Sequence, residues 1–195
     1  MQCKDIERAL LAVGQLLEAD EAPSRLVVIG GAALNLLGIV SRATQDVDVV
    51  AMADMQDRRL LTPPDRPFAP PLLRAIAEVG RDFGLPEGWM NAGPAAQWEI
   101  GLPPGFANRV SWRRYAALEI GLADREDLIT MKLEASADQP DANSRHFRDL
   151  VALSPTPTEL AHALRWVREK NAGPDYHHSL NRVVQHVEHT LDHPR

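Results

Sequence analysis

The chain has 195 residues, 45% hydrophobic and 25% charged, which suffices for one cored domain, or a small domain with a helical appendage, and excludes collagen-like and disordered compositions. Its single cysteine, Cys3, excludes an internal disulfide framework and a multi-cysteine zinc site, while 21 Lys and Arg against 27 Asp and Glu give a net charge of −6 that disfavours unspecific duplex binding. No apolar run approaches a membrane span and the chain opens on Lys4, Asp5, Glu7 and Arg8 in place of an apolar signal core, so no membrane partner and a cytoplasmic location are expected.

Residues 3–19 place Ile6, Ala9, Leu10, Val13, Leu16 and Leu17 on one face and charges on the other, which predicts an amphipathic helix. Leu26–Ile29 is a short β-branched run bounded by Gly30 and Gly31, as expected of a buried strand entering a tight turn. A short helix over Ala32–Leu37 follows, with Gly38 as its C-terminal cap, and then a strand over Asp46–Val50. Residues 54–71, with five prolines, read as a surface loop, and Leu72–Phe83 as a helix. Residues 84–109 carry Trp89 and Trp98 in a Gly- and Pro-rich stretch without periodicity. Tyr115–Leu122 fits a third strand, and Asp124 fits the cap of a helix through about Ala137, with Glu126 and Asp127 where the helix dipole favours acids. Helices at about 145–153, 159–170 and 174–191 complete the chain. Thr156 and Glu159 have capping-box spacing, and Leu180, Val183, Val184, Val187 and Leu191 stripe the last helix.

Arg42, Thr44, Asp46 and Asp48 recur at every second position, so an extended backbone would send all four to one face and Val47 and Val49 to the core. Paired carboxylates repel unless a cation neutralises them, and Mg²⁺ with substrate phosphates is the natural partner for such a pair. A solvated edge strand is the other reading of the same pattern. The Gly30–Gly31 turn would let a phosphate approach the backbone closely, although an isolated Gly-Gly is most often a plain turn. No Walker-type Lys and Ser follow it and no Gly-x-Gly-x-x-Gly occurs, which leaves P-loop and dinucleotide-binding readings without support.

Together, turn and carboxylates form the stretch VVIGGAALNLLGIVSRATQDVDVV, which resembles the signature of the nucleotidyltransferase superfamily, most closely its AbiEii-type, abortive-infection toxin-like branch. The stretch EDLITMKLEASADQPDANSRHFRDLVAL is similar to that branch's paired helices, with Lys132 and Asp149 at the lysine and aspartate positions. The resemblance covers about residues 24–153 and implies an α+β, polymerase-β-like fold. In it a small mixed sheet is flanked by helices over residues 1–123, and a helical part, 124–195, contributes to the active-site cleft. It further implies Mg²⁺- or Mn²⁺-dependent transfer of a nucleotide from an NTP. Asp46 and Asp48 would be the metal ligands and, with Lys132 and Asp149, the catalytic set; Gly30, Gly31 and Thr44 would bind the nucleotide. The acceptor would be an RNA 3′ end, tRNA in particular, a protein or a small molecule, and an antitoxin protein would be a partner of a toxin-like member.

Several residues keep two readings. Glu119 competes with Asp149 as third carboxylate, and Asp149 could instead pair with Arg145 one helical turn before it. Lys132 could be an ordinary surface lysine. His186, His189 and His193 share a helical face that either binds metal or is simply solvated, and His146 either lines the cleft or packs. Trp89 and Trp98 either stack a base or fill the core. A non-catalytic nucleotide- or partner-binding module that keeps the fold is the alternative for the whole chain, and a simple nucleic-acid-binding regulator is the reading that the acidic balance favours least.

Overall fold

A computed structural model describes residues 1–138, 141, 144–171 and 173–193. The chain divides into two compact units, Met1–Asp124 and Arg125–Arg195.

The first unit opens with α1 (Cys3–Ala19), whose predicted stripe is buried at Ile6, Ala9, Leu10, Val13 and Leu17. The Gln2 N–H donates to the Asp5 carboxylate at 2.9 Å and so satisfies one donor at the helix start. Strand β1 (Ser24–Ile29), helix α2 (Gly30–Leu36) and strand β2 (Val47–Ala53) then give the predicted strand, turn, helix, strand order. The helix begins two residues earlier than the sequence suggests, so both glycines belong to its first turn. At its other end Gly38 is left-handed (φ +74°), and the Ile39 and Gly38 N–H groups donate to the Leu34 and Asn35 carbonyls at 2.9 and 3.0 Å, a Schellman closure.

Beyond β2 come β3 (Leu61–Thr62), α3 (Pro70–Asp82), β4 (Met90–Asn91), α4 (Ala95–Ile100), α5 (Phe106–Arg109), β5 (Ser111–Tyr115) and β6 (Leu118–Leu122). Two readings are corrected here. The expected loop at 54–71 contains β3, which pairs antiparallel with the end of β2, and the expected single strand at 115–122 is the second half of a hairpin, β5–β6. The sheet runs β3-β2-β1-β6-β5, with β4 also on β2. It is mixed: β1 is antiparallel to β2 and parallel to β6. Helices α1 and α2 pack against it, which makes the unit the expected α+β, nucleotidyltransferase-like architecture.

One irregularity lies near the acidic strand. Val27 faces Ala51 but Val28 faces Val49, so Val50 is an extra residue in β2. Val49, Val50 and Ala51 are consequently all buried, and the strand resumes its alternation at Asp48.

The second unit consists of α6 (Arg125–Asp138), α7 (Arg145–Ala152), α8 (Pro157–Lys170) and α9 (Pro174–Asp192). Helix α6 packs on the other three and is buried without interruption from Asp127 to Glu134. Ser144 caps α7 by accepting from the Phe147 N–H at 3.1 Å. The capping box of α8 forms as its spacing predicts: the Thr156 N–H donates to Glu159 at 2.7 Å and the Glu159 N–H to the Thr156 hydroxyl at 3.2 Å. Arg125 adds an ion pair at 2.9 Å, and its hydrogen bond, with those from Thr156, outweighs burial and holds Glu159 at about 2. Leu180, Val183 and Val187 of the α9 stripe are buried, whereas Val184 and Leu191 are half-buried. Among the described residues no helix is long and apolar enough to cross a membrane.

Candidate functional site

Strand β2 begins at Val47, so Asp46 is the last residue before it and Asp48 the first polar residue within it. Val47 and Val49 are buried on either side of the half-buried Asp48, which is the alternation the sequence predicts. Upstream the pattern fails, because the backbone bends at Arg42 and Gln45. Thr44, 2% exposed, is turned inward, and its hydroxyl donates to both the carboxylate and the carbonyl of Asp46 at 3.3 Å.

The bend carries this segment onto the glycines. Gly30 is left-handed (φ +72°), and a Cβ there would lie 2.6 Å from Asp48 Oδ2. A Cβ on Gly31 would lie 2.8 Å from the Thr44 hydroxyl and 3.4 Å from Arg42 Nη2. Only glycine admits this approach at both positions. The buried side chain of Asn35, 2% exposed, locks it by donating to the Gly31 carbonyl at 3.0 Å and the Arg42 carbonyl at 2.9 Å. From the other edge of β2, Asn91 donates to Asp48 Oδ1 at 3.4 Å.

The sequence-predicted residues of the first unit, Gly30, Gly31, Thr44, Asp46 and Asp48, thus lie together. Arg42 joins them, and so do two residues that the sequence reading missed. Asn35 had a usable signal, a lone amide within the apolar run AALNLL and four residues after Gly31. Asn91 had none beyond an Asn-x-Gly turn pattern.

In the second unit Lys132 and Asp149 meet: Nζ donates to Oδ2 at 2.7 Å, with side-chain exposures of 7% and 1%. Lys132 is therefore not a surface lysine. Glu119, the competing carboxylate, is engaged by Arg25 at 2.7 Å and Arg58 at 2.9 Å. Burial works against its charge, but these hydrogen bonds prevail and hold it below the usual glutamate range. Its cross-strand partner is Arg25, four residues before the Ile29 that faces Asp48. At about 3.3 Å per residue that puts Glu119 about 13 Å along the sheet from the aspartates.

The aromatic and histidine candidates divide. Trp89 is a core residue, 2% exposed, with its indole N–H on the Ile76 carbonyl at 3.0 Å. Trp98 is half-buried on α4. His186 of α9 lies against Phe147 of α7 with tilted rings 4.9 Å apart at their centroids, and His189 lies likewise against His193, just past the helix, at 4.6 Å. Among the described residues no group of three His, Cys, Asp or Glu side chains is placed to hold a metal ion. Asp46 and Asp48 are two hard oxygen donors, which suits an ion that takes one or two carboxylates and completes its shell with water and substrate phosphates, as Mg²⁺ does.

No curated protein and no solved structure matches the chain significantly. One family model does, that of the nucleotidyltransferases of unknown function (DUF6036), over residues 8–155, about three quarters of the chain. The matched span takes in the glycine turn, the Thr44–Asp48 segment and both partners of the Lys132–Asp149 pair. The chain belongs to this nucleotidyltransferase family.

Proposed function

We propose that the protein is a Mg²⁺- or Mn²⁺-dependent nucleotidyltransferase of the AbiEii-type, toxin-like branch. It would work in the cytoplasm, moving a nucleotide from an NTP to an RNA 3′ end, tRNA in particular, a protein or a small molecule, with an antitoxin protein as its partner. The observation that carries this reading is the closure of Asp48, Thr44 and Arg42 over the Gly30–Gly31 turn, in a chain of a nucleotidyltransferase family.

In the transfer an acceptor oxygen forms a bond to the α-phosphorus while the bond from that phosphorus to the β-phosphate bridge breaks, and pyrophosphate leaves with the electron pair. Bound at Asp46 and Asp48, the metal would neutralise phosphate charge and lower the pKa of the acceptor hydroxyl. Thr44 holds the Asp46 carboxylate, and the side-chain-free backbone at Gly30 and Gly31 lets Asp48 and Thr44 close over the turn. Lys132 and Asp149, the lysine and aspartate positions of the resemblance, are committed to each other as a buried ion pair at 2.7 Å within the helical unit.

The test is incubation of the purified protein with each α-³²P-labelled NTP, Mg²⁺ or Mn²⁺ and total cellular RNA, beside the Asp46→Asn/Asp48→Asn variant. Label on RNA or on protein that the variant loses is the expected result and names donor and acceptor class together. Pyrophosphate release without labelled RNA or protein would move the acceptor to small molecules. Nucleotide binding with neither label nor pyrophosphate would overturn catalysis and leave a binding module.

A further inference from the structure

We propose that Asn35 is a positioning residue of the metal-binding segment: by tying the Arg42 carbonyl to the first turn of α2, it holds the bend that brings Thr44 and Asp46 onto the glycine turn, and so sets the affinity for the divalent ion. The inference rests on the nucleotidyltransferase reading above and assigns Asn35 a part in it.

Helix α2 is buried at every residue from Gly31 to Leu36, so the Asn35 amide lies among Ala32, Ala33, Leu34 and Leu36. Burying an amide costs free energy unless its hydrogen bonds are remade inside the protein. Both bonds formed come from one atom. Nδ2 donates to the Gly31 carbonyl at 3.0 Å, one turn earlier, and to the Arg42 carbonyl at 2.9 Å, seven residues later. These two carbonyls fix the orientation of the amide, because an oxygen turned toward them would meet only acceptors. The other end, Oδ1, is buried and has no hydrogen-bond partner. A residue that only filled space here would do so better as an apolar side chain of similar shape, without the stranded acceptor. The amide is explained by what its nitrogen holds.

The backbone between α2 and β2 is irregular, with bends at Arg42 and Gln45. Two ties fasten it. One is Asn35 on Arg42. In the other, the Thr44 N–H donates to the Met1 carbonyl at 3.0 Å and the Met1 nitrogen donates to the Thr44 carbonyl. Between the ties the Thr44 hydroxyl closes over Gly31, 2.8 Å from where a Cβ would stand, and reaches the Asp46 carboxylate at 3.3 Å. Gly31, Asn35, Arg42 and Thr44 thus form a closed circuit of contacts that ends on Asp46. With the Arg42 tie cut, the metal has to order the segment as it binds, and affinity falls. Groups that orient metal ligands commonly change metal affinity or activity by about 10–100-fold.

The experiment compares the full-length parent with Asn35→Thr, Asn35→Leu and Asp46→Asn. Mn²⁺ binding is read by water proton relaxation in the presence of a mixture of α,β-methylene nucleoside triphosphates, with thermal unfolding alongside. Threonine has nearly the volume of asparagine, and its hydroxyl can donate to the carbonyl one turn back, that of Gly31, but is too short to hold Arg42 as well. It therefore isolates the tie. Asn35→Leu removes both donors together with the stranded acceptor, and reads the same question if threonine unfolds. Both variants are expected to bind Mn²⁺ about 10–100-fold more weakly and to recover parental nucleotide binding in excess Mn²⁺, with Asn35→Thr unfolding near the parent. Asp46→Asn should lose Mn²⁺ binding. Parent-like Mn²⁺ affinity in a folded Asn35→Thr, with Asp46→Asn defective, would overturn the role of Asn35 and leave the proposed function standing. A defect that follows lowered stability in both variants and survives excess Mn²⁺ would make Asn35 merely structural. Failure of the parent itself to bind Mn²⁺–nucleotide would overturn the nucleotidyltransferase reading and this inference with it.

Discussion

A methyl group at position 30 would lie 2.6 Å from Asp48 Oδ2 on a backbone with φ of +72°, whereas one at position 31 would lie 2.8 Å from the Thr44 hydroxyl on a backbone without that left-handed twist. The two glycines are adjacent, but substitution should separate them. Gly30→Ala meets backbone strain of about 1–2 kcal/mol and also has to displace the Asp48 carboxylate. Gly31→Ala has only to turn Thr44 aside, at the cost of its bond to Asp46. We therefore expect Gly30→Ala to lower stability by about 1–2 kcal/mol or more and to lose Mn²⁺–nucleotide binding, and Gly31→Ala to stay nearer the parent in thermal unfolding. Equal unfolding of both variants with the parent would mean that the turn is looser than its geometry. At this scale the glycines and aspartates stood out because a Gly-Gly turn and an alternating acidic strand fall in one short stretch, and the resemblance of that stretch implied their roles. The Asn91 amide did not, because it acts across a strand on Asp48, where linear spacing carries no trace, whereas Asn35, four residues from Gly31, left a local signal that went unread.

Helix α6 shows what an element hides from its sequence. It is buried from Asp127 to Glu134 with a lysine in the middle, so it has no clean apolar stripe; Thr130 and Ser136 donate to carbonyls of the helix itself, and other polar groups find partners outside it. Lys132 and Asp149 are the clearest of these. Asp149→Ala would leave a buried ammonium without its carboxylate, and such a loss costs about 3–5 kcal/mol. The Lys132→Met/Asp149→Leu variant removes both charges and should unfold at a higher temperature than Asp149→Ala. If Asp149→Ala alone unfolds like the parent, the pair contributes nothing to packing. The amphipathic helices were easier: α1 and α9 announce a face, and α8 announces its first turn through Thr156 and Glu159. The hairpin β5–β6 was read as one strand because its turn passes through Ala116, which holds φ of +52° without being Gly, Asn or Asp. Strands β3 and β4, at two residues each, span a single period, too short a run for alternation to show.

For the molecule as a whole, local signals marked the order strand, glycine turn, helix, acidic strand, and the α+β nucleotidyltransferase-like fold was what the resemblance of that stretch implied. Charge is the other whole-chain property the sequence discloses, and its arrangement sharpens the consequence. Arg25 and Arg58 are spent on Glu119, Arg59 on Asp57, Arg74 on Asp20, Arg113 on Glu7 and Arg125 on Glu159. With a net charge of −6, these arginines are neutralised within the protein and do not form a stripe for phosphates. A protein that contacts 6–10 phosphates loses about 10³–10⁵ in affinity between about 50 and about 200 mM salt. We expect no comparable slope here: fluorescence anisotropy with a random-sequence duplex should register little binding at either salt concentration. Tight binding with a steep salt dependence would reveal a basic surface and favour a nucleic-acid-binding regulator. With the expected result, an RNA that becomes labelled is held by something other than a continuous basic surface, and contacts to its terminal nucleotides are the natural alternative.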